Sequence, residues 1–483
     1  MKKLLLDNST PAAKISKLLI LAVPLIFVGV CMDNDFWFII NHGRYILANG
    51  FTDIEPFTVH EGLAFSFEKW ATCILFYKIY DWFGAWGMYV FVLLLSSVII
   101  WLFYKGCLLF SYGQENLSII VTFACMICFL WSYARTRPQM FSYIFMLAEV
   151  ICLEKYARTD DIRKLYPLPL FSFLYMQFHS TMLPMYFILM LPYLCDLGGF
   201  NALGIKGSRC RKLPILAFMG LSMLTTLANP YGVRSFVYLF NSLHDGGLLS
   251  NINEVKRSSF NDIFGCSGPV LVMQVLYIIK RLFRKEKFKL RYLFMLGGTF
   301  LMALYAVRNI SFFCLFGGLI CAWQLREFRF DFGFMPLVKK LGAVAAIISA
   351  IVYVQQPFDI MRSTYAWQAL DMFAELHPDT NVRMYTDFNC GSYAEWKGFR
   401  CYADPRAEVF LKSVNGKEDI LAEVWDSMHS RVGIDALQPK YNFDYWLVQI
   451  GYTLDSQLSR SKLHEQVCEA DGYRVYKFLP SEK

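Results

Sequence analysis

Charged residues are scarce in this chain: Asp, Glu, Lys and Arg make up 18% of its 483 residues, where a soluble globular chain carries roughly 25%. With 56% hydrophobic and 17% aromatic residues, the composition excludes an ordinary soluble domain and points to a lipid-embedded protein. A basic domain is missing too. The formal net charge is +8, but Lys and Arg stand in short clusters between apolar runs, which argues for loop anchoring and against nucleic acid as a partner. The 14 cysteines lack the Cys/His spacing of a zinc site, and most lie in apolar runs, where a thiol behaves as a small hydrophobe. Cys390, Cys401 and Cys468 lie in the more polar C-terminal part, where one disulfide or three reduced thiols both fit. Internal repeats, low-complexity segments and Ser or Cys triad patterns are absent.

What the sequence has instead is a succession of apolar runs near the roughly 20 residues that span a bilayer. They are predicted near 15–32, 86–106, 117–134, 138–154, 165–181, 182–196, 213–229, 267–283, 292–309, 310–325 and 336–354. Lys2 and Lys3 ahead of the first imitate a secretory signal, yet no small-x-small site follows, so an uncleaved first helix is predicted. Loops rich in Lys and Arg mark the cytoplasmic side; Lys280 to Arg291 holds seven basic residues and Lys206 to Lys212 four. They set the N-terminus inside, and an odd number of spans then places the C-terminal part outside.

The fold class expected is an α-helical polytopic membrane protein with about 11 transmembrane helices, residues 1–354, followed by a small extracytoplasmic α/β domain, residues 355–483. In that domain the pattern predicts strands near 381–386, 400–403, 443–449 and 473–478, a turn at Asn389-Cys390-Gly391 and a helix near 417–429. The outer loop 33–85 is too long for a connector. Phe36 to Ala48 and Phe67 to Phe83 pair aromatic with polar residues at helical spacing, as helices lying in the membrane interface do.

Polar residues at membrane depth are costly and are usually kept for function, and on this topology they gather on one side. Asp33 and Asp35 follow the first span, Glu68 opens the second interfacial stretch, and Arg135 and Arg137 end the third span. His179 ends the fifth, Asn229 the seventh, Glu254 lies in the 230–266 loop and Arg308 ends the ninth. Each has a plain explanation: carboxylates end helices, arginines anchor helices to headgroups, a histidine packs, and Asn229-Pro230-Tyr231-Gly232 signals a turn. Each also has a chemical one. Two nearby carboxylates can hold a divalent cation against phosphate oxygens, or one can act as a base toward a hydroxyl, and arginines clamp phosphate bidentately. Together they predict a polar cavity open to the outer side.

The residues Asp33-Asn34-Asp35-Phe36-Trp37-Phe38, Gly43, Ile46, Gly50, Asp53-Ile54-Glu55-Pro56-Phe57 and Glu68-Lys69-Trp70 resemble a large family of bacterial polytopic membrane proteins with D-x-D-x-W, D-P-F and E-W-L elements. Arg137-Pro138-Gln139, His179, Asn229-Pro230-Tyr231-Gly232, Glu254 and Arg308-Asn309 extend the likeness, as do Asn389-Cys390-Gly391-Ser392-Tyr393 and Asp404-Pro405-Arg406-Ala407-Glu408. Glu55 interrupts the Asp-Pro-Phe element, and Gln177 and Ser180 flank His179 where Asn and Gly are usual. The family is similar to the GT-C superfamily, integral membrane glycosyltransferases that take a sugar from a polyprenyl-phosphate carrier. The resemblance implies an enzyme of the bacterial plasma membrane that serves cell-envelope glycan or glycoconjugate assembly, with a glycan, lipid or protein as acceptor. It implies Asp35, with Asp33, as general base or as ligand of a divalent cation, Mg2+ or Mn2+. It also implies Arg137 and Arg308 as holders of the carrier phosphate, and Glu68, His179 and Glu254 as walls of the acceptor or sugar pocket.

Two other classes compete. A transporter or flippase of a lipid-linked saccharide needs polar residues at the midplane and on both faces, whereas the spans near 86–106, 213–228 and 336–354 carry few charges away from their ends. A non-catalytic envelope assembly protein would keep both the fold and the loops. A nucleotide-sugar enzyme with a cytoplasmic site is disfavoured, because no inside loop is large enough to hold one.

Overall fold

The computed structural model describes residues 11–28, 32–208, 210–242, 254–283, 286–328, 364–379 and 381–480. The chain divides into two compact units: Met1–Gly29, Tyr89–Ala228 and Ser250–Phe358 form one, and Val30–Met88, Asn229–Leu249 and Asp359–Lys483 form the other.

The first unit is helical. Among the described residues of the whole chain, four helical runs, Trp70–Phe110, Glu115–Tyr133, Phe260–Phe283 and Val307–Gln324, are long and apolar enough to cross a membrane, and Lys17–Phe27, Lys212–Thr226 and Leu290–Tyr305 are shorter apolar helices. In lipid a backbone must satisfy its own hydrogen bonds, which a helix does. The protein is a membrane protein. Gly84, at φ +58°, breaks the 41-residue run Trp70–Phe110, a backbone conformation that glycine adopts without steric cost. The pair of spans predicted over 165–196 is fragmented into Leu168–His179, Leu183–Ile188 and Leu191–Leu194. Pro184 and Pro192 stand in the first turns of the latter two, where a missing N–H costs nothing. The run predicted near 336–354 lies outside the described residues.

Not every residue of the basic loop Lys280 to Arg291 faces solvent. Arg291 is buried between Glu154, at 3.1 Å from both Nε and Nη2, and Asp196, at 3.0 Å from Nη1; Tyr292 donates its hydroxyl to Glu154 at 2.6 Å. Lys280 is likewise buried, 3.0 Å from Glu286. A charge taken out of water is tolerated when it is paired and hydrogen-bonded in this way. Cys125 and Cys128 form a C-x-x-C spacing within the helix Glu115–Tyr133, and both are unpaired thiols.

The second unit carries a five-stranded sheet in the order Arg400–Cys401, Arg383–Tyr385, Tyr445–Gln449, Tyr473–Phe478, His464–Ala470. The first three strands are parallel and the last two antiparallel to their neighbours. All four predicted strands are present. His464–Ala470, and the helices Trp367–Leu376, Ile434–Tyr441 and Thr453–Arg460, add to them.

The 30–88 segment is built into this unit. Val59 N–H donates to Cys401 O at 2.9 Å, and the Arg383 and Arg400 guanidinium groups donate to the carbonyls of Val59 and Thr58 at 3.2 and 3.0 Å. The helix Asn34–Asn49 packs on Gly391–Trp396: Ser392 Oγ donates to Asn34 O at 2.6 Å and the Trp37 and Tyr393 rings lie 4.7 Å apart. Phe36, Trp37 and Phe38 are therefore buried against protein. Cys390, Cys401 and Cys468 are unpaired and buried.

Candidate functional site

In the helical unit a cavity of about 270 Å3 is lined by Arg135, Arg137, Arg308, Glu254, Gln139 and Tyr143, among others. Its arginines are placed by chain breaks. The helix Glu115–Tyr133 stops at Ala134, which is extended, and Arg137 N–H closes a tight turn onto Arg135 O at 2.8 Å before Pro138 opens the helix Gln139–Thr159. Proline cannot continue the preceding helix but suits the start of the next. Arg308 stands in the one-turn helix Val307–Asn309 that leads into Ile310. Its N–H donates to Glu254 O at 3.0 Å, and Val307 N–H donates to Lys256 O at 3.2 Å, which pins the Glu254 backbone beside it.

Glu254 forms an ion pair with Arg137. Arg135 and Arg308 form none with a carboxylate among the described residues. Among the described residues that line the cavity, three guanidinium groups thus stand with one carboxylate. Gln139 adds a buried Oε1 that has no hydrogen-bond partner among the described residues. His179 is buried behind the wall, its Nδ1 2.6 Å from Oγ of Ser142, which lines the cavity. The structure thereby brings together Arg137, Glu254 and Arg308, with His179 one residue removed. Ser142, Gln139, Tyr133 and Tyr143 complete the wall. Arg137-Pro138-Gln139 marks one of them in the sequence; nothing local marks the serine or the tyrosines.

Asp33, Asp35 and Glu68 belong to the other unit. Asp33 precedes the helix Asn34–Asn49 without using its carboxylate to cap it, and Asp35 sits in that helix's first turn. Glu68 is buried, and its Oε1 has no hydrogen-bond partner among the described residues. Burial, with the Glu408 carboxylate as second cause, pushes its pKa from the ordinary 4.5 up to about 8, against a smaller pull from Lys69.

The same unit contains a hub whose pairings no sequence pattern announces, although Glu55, Asp404 and Arg406 stand in motifs of the family resemblance. Arg406 is fully buried and donates from Nη2 to Glu55 at 2.9 Å, Glu395 at 2.9 Å and Asp404 at 2.6 Å, with His42 Nε2 3.2 Å from Nη1. Burial, then Arg406, holds His42 well below the usual histidine range, so its ring is neutral and accepts. Among the described residues, Glu395, Cys401 and Asp404 form a group close enough to ligate a metal. Their position is already filled by a cation, the Arg406 guanidinium, so this donor set does not fit a divalent ion as well. Asp33 and Asp35 are not in it. The Asp404-Pro405-Arg406 motif supplies the charge around which Glu55 of the 30–88 segment is held.

No protein-family model matches the chain, and no curated protein matches it in sequence. Solved structures do match. The apo form of the Archaeoglobus fulgidus oligosaccharyltransferase gives a TM-score of 0.52 at 11% identity, covering 90% of this chain and 69% of that one. Archaeal oligosaccharyltransferase AglB from A. fulgidus, in complex with an inhibitory peptide and a dolichol-phosphate, gives 0.51 at 12% identity, covering 91% and 70%. The A. fulgidus enzyme tethered by a disulfide to an acceptor peptide containing the NVT sequon gives 0.50 at 11%, covering 90% and 69%. Identity this low speaks for architecture alone. The chain has the fold of the A. fulgidus oligosaccharyltransferase.

Proposed function

We propose that the chain is a GT-C-type membrane glycosyltransferase that moves a sugar from a polyprenyl-phosphate carrier to an extracytoplasmic acceptor in cell-envelope assembly. The observation that carries this reading is the cavity in which three guanidinium groups face one carboxylate. When a glycosidic bond to a lipid phosphate breaks, the leaving phosphate gains charge, and pre-positioned cations stabilise that change. Arg137 and Arg308 supply them; Glu254 orients Arg137, and Ser142 orients His179 toward the sugar or acceptor. Asp35, with Asp33, acts as base toward the acceptor hydroxyl. A divalent cation, Mg2+ or Mn2+, would be held by the same two aspartates with phosphate oxygens completing its shell, and would supply further charge to the leaving phosphate. Glu68 walls the acceptor side as a neutral carboxylic acid. The N-terminus is cytoplasmic and residues 355–483 are outside the bacterial plasma membrane. The dolichol-phosphate bound by AglB supports a lipid-phosphate carrier.

The test is release of carrier phosphate from a panel of polyprenyl-phosphate sugars by the purified protein. Turnover should fall by at least 100-fold in Asp35→Ala or Asp33→Ala and by roughly 10- to 1,000-fold in Arg137→Gln and Arg308→Gln. Donors that bind intact protein without turning over, across the panel, would sink the enzyme reading.

A further inference from the structure

A second cleft, of about 290 Å3, lies in the sheet-bearing unit and is lined by residues of the helix Asn34–Asn49, the 56–57 segment and residues 395–400. Two arginines line it, Arg44 and Arg400, and neither forms an ion pair with a carboxylate among the described residues. Both are nevertheless held in place by neutral groups. Arg44 stacks on the Trp396 ring, 4.4 Å from its centroid, and donates from Nη2 to Asn41 Oδ1 at 2.6 Å and Trp396 O at 3.0 Å. Arg400 gives Nε and Nη2 to Thr58 O at 3.1 and 3.0 Å. Stacking occupies the face of a guanidinium and leaves its N–H edge available. Nη1 of each arginine has no hydrogen bond among the described residues.

The carboxyl in this wall does not neutralise them. Glu395 is committed to Arg406 at 2.9 Å, and burial raises its pKa well above the usual carboxylate range. Beside the arginines, the Tyr45 and Phe57 rings meet edge to face at 5.2 Å, and the exposed Asn49 amide, whose Nδ2 donates to Tyr45 O at 3.3 Å, lines the cleft. A half-buried pair of rigid, uncompensated cations wants an anion. Aromatic rings next to amides offer what a sugar ring needs, an apolar wall and hydrogen-bonding groups.

We propose that this cleft binds an anionic saccharide, with its carboxylate or phosphate between Arg44 and Arg400 and its ring against Tyr45 and Phe57. The site stands on the cleft alone and holds whether or not the chain transfers sugars. Full-length protein in detergent micelles is titrated calorimetrically with glucuronate, glucose 6-phosphate, glucose and inorganic phosphate. At least one of the two charged sugars binds tenfold or more tightly than glucose and than inorganic phosphate, and which of them does so tells carboxylate from phosphate. Affinity falls about tenfold or more in Arg44→Gln and Arg400→Gln, the scale of a lost charge-assisted hydrogen bond. Because those variants also remove contacts within the unit, Ala48→Glu is the second probe. Ala48 is exposed and lines the cleft, so a glutamate there brings a competing carboxylate and leaves both arginines and the fold untouched; it abolishes binding at an unchanged melting temperature. The proposal is overturned if glucose or inorganic phosphate binds as tightly as the charged sugars, if neither charged sugar binds at millimolar concentration, or if Ala48→Glu binds like the parent.

Discussion

Replacing Glu68 by Gln gives the sharpest test of the electrostatics, because the effect has a sign that depends on pH. The folded carboxyl is pushed from 4.5 to about 8, while the unfolded chain titrates near the ordinary value. Between those two pH values the folded protein keeps a proton that the unfolded one has lost. Stability falls with rising pH wherever the native state binds more protons, so Glu68 costs nothing below pH 4.5 and progressively more up to pH 8. At about 1.4 kcal/mol for each tenfold in proton affinity, the full cost approaches roughly 5 kcal/mol; relaxation around a buried carboxylate trims it, and about 2–5 kcal/mol is expected. Gln cannot titrate. Chemical unfolding of the two proteins in detergent at pH 5, 7 and 9 should show Glu68→Gln within about 1 kcal/mol of the parent at pH 5 and more stable by about 2–5 kcal/mol at pH 9. Removing the second cause with Glu408→Gln should recover part of the same gain, and the double variant should gain less than the sum, since the two carboxyls act on one another. A stability difference identical at pH 5 and pH 9 would refute the reasoning outright.

Other consequences are equally direct. Arg406→Ala strips a buried cation from Glu55, Glu395 and Asp404 and should destabilise the sheet-bearing unit by about 3–5 kcal/mol; Arg406→Lys recovers only part, as a point charge cannot match the fork, and limited proteolysis of residues 364–480 reads both. Gly391→Ala would place its Cβ 1.8 Å from Ala403 O, a backbone clash that should lower the unfolding free energy by more than the roughly 1–3 kcal/mol of ordinary overpacking, read by chemical denaturation. Glu149→Leu should raise thermal stability, because Glu149 is buried with neither oxygen hydrogen-bonded among the described residues and burying such a group costs about 1–3 kcal/mol; a lower melting temperature would mean the carboxyl has a partner.

Local pattern carried much of the fold. Apolar runs at spanning length announced the helices Glu115–Tyr133 and Phe260–Phe283, and β-rich stretches announced Tyr445–Gln449 and Tyr473–Phe478. The strand His464–Ala470 escaped because four of its seven residues are polar and its outer face is solvated. The fragmentation of 165–196 follows from prolines inside otherwise apolar sequence. Arg137 and Arg308 stand at helix starts and Glu254 in a turn, and the three line one cavity although they lie far apart in the sequence. The Arg406 hub was illegible for a different reason. Its partners Glu55 and His42 are 351 and 364 residues away, and no local periodicity encodes such pairings. The uncompensated charge at Arg44 and Arg400 is equally non-local, since it shows only once every neighbouring carboxylate is known to be absent or engaged.

The interleaving of the 30–88 segment with residues 359–483 also sets a schedule for biogenesis. Thr58 meets Arg400 across 342 residues of chain, so at translation rates of about 5–20 residues per second the early segment waits roughly a quarter of a minute to a minute for its partner strand. Throughout that interval Trp37, Phe36 and Glu55 have been synthesised, while the tyrosine and the arginine that will cover them have not. A nascent chain in that condition is a natural client for chaperones and proteases. Mutations that slow the arrival of residues 400–406 should surface first as lost yield, before any defect in the finished protein.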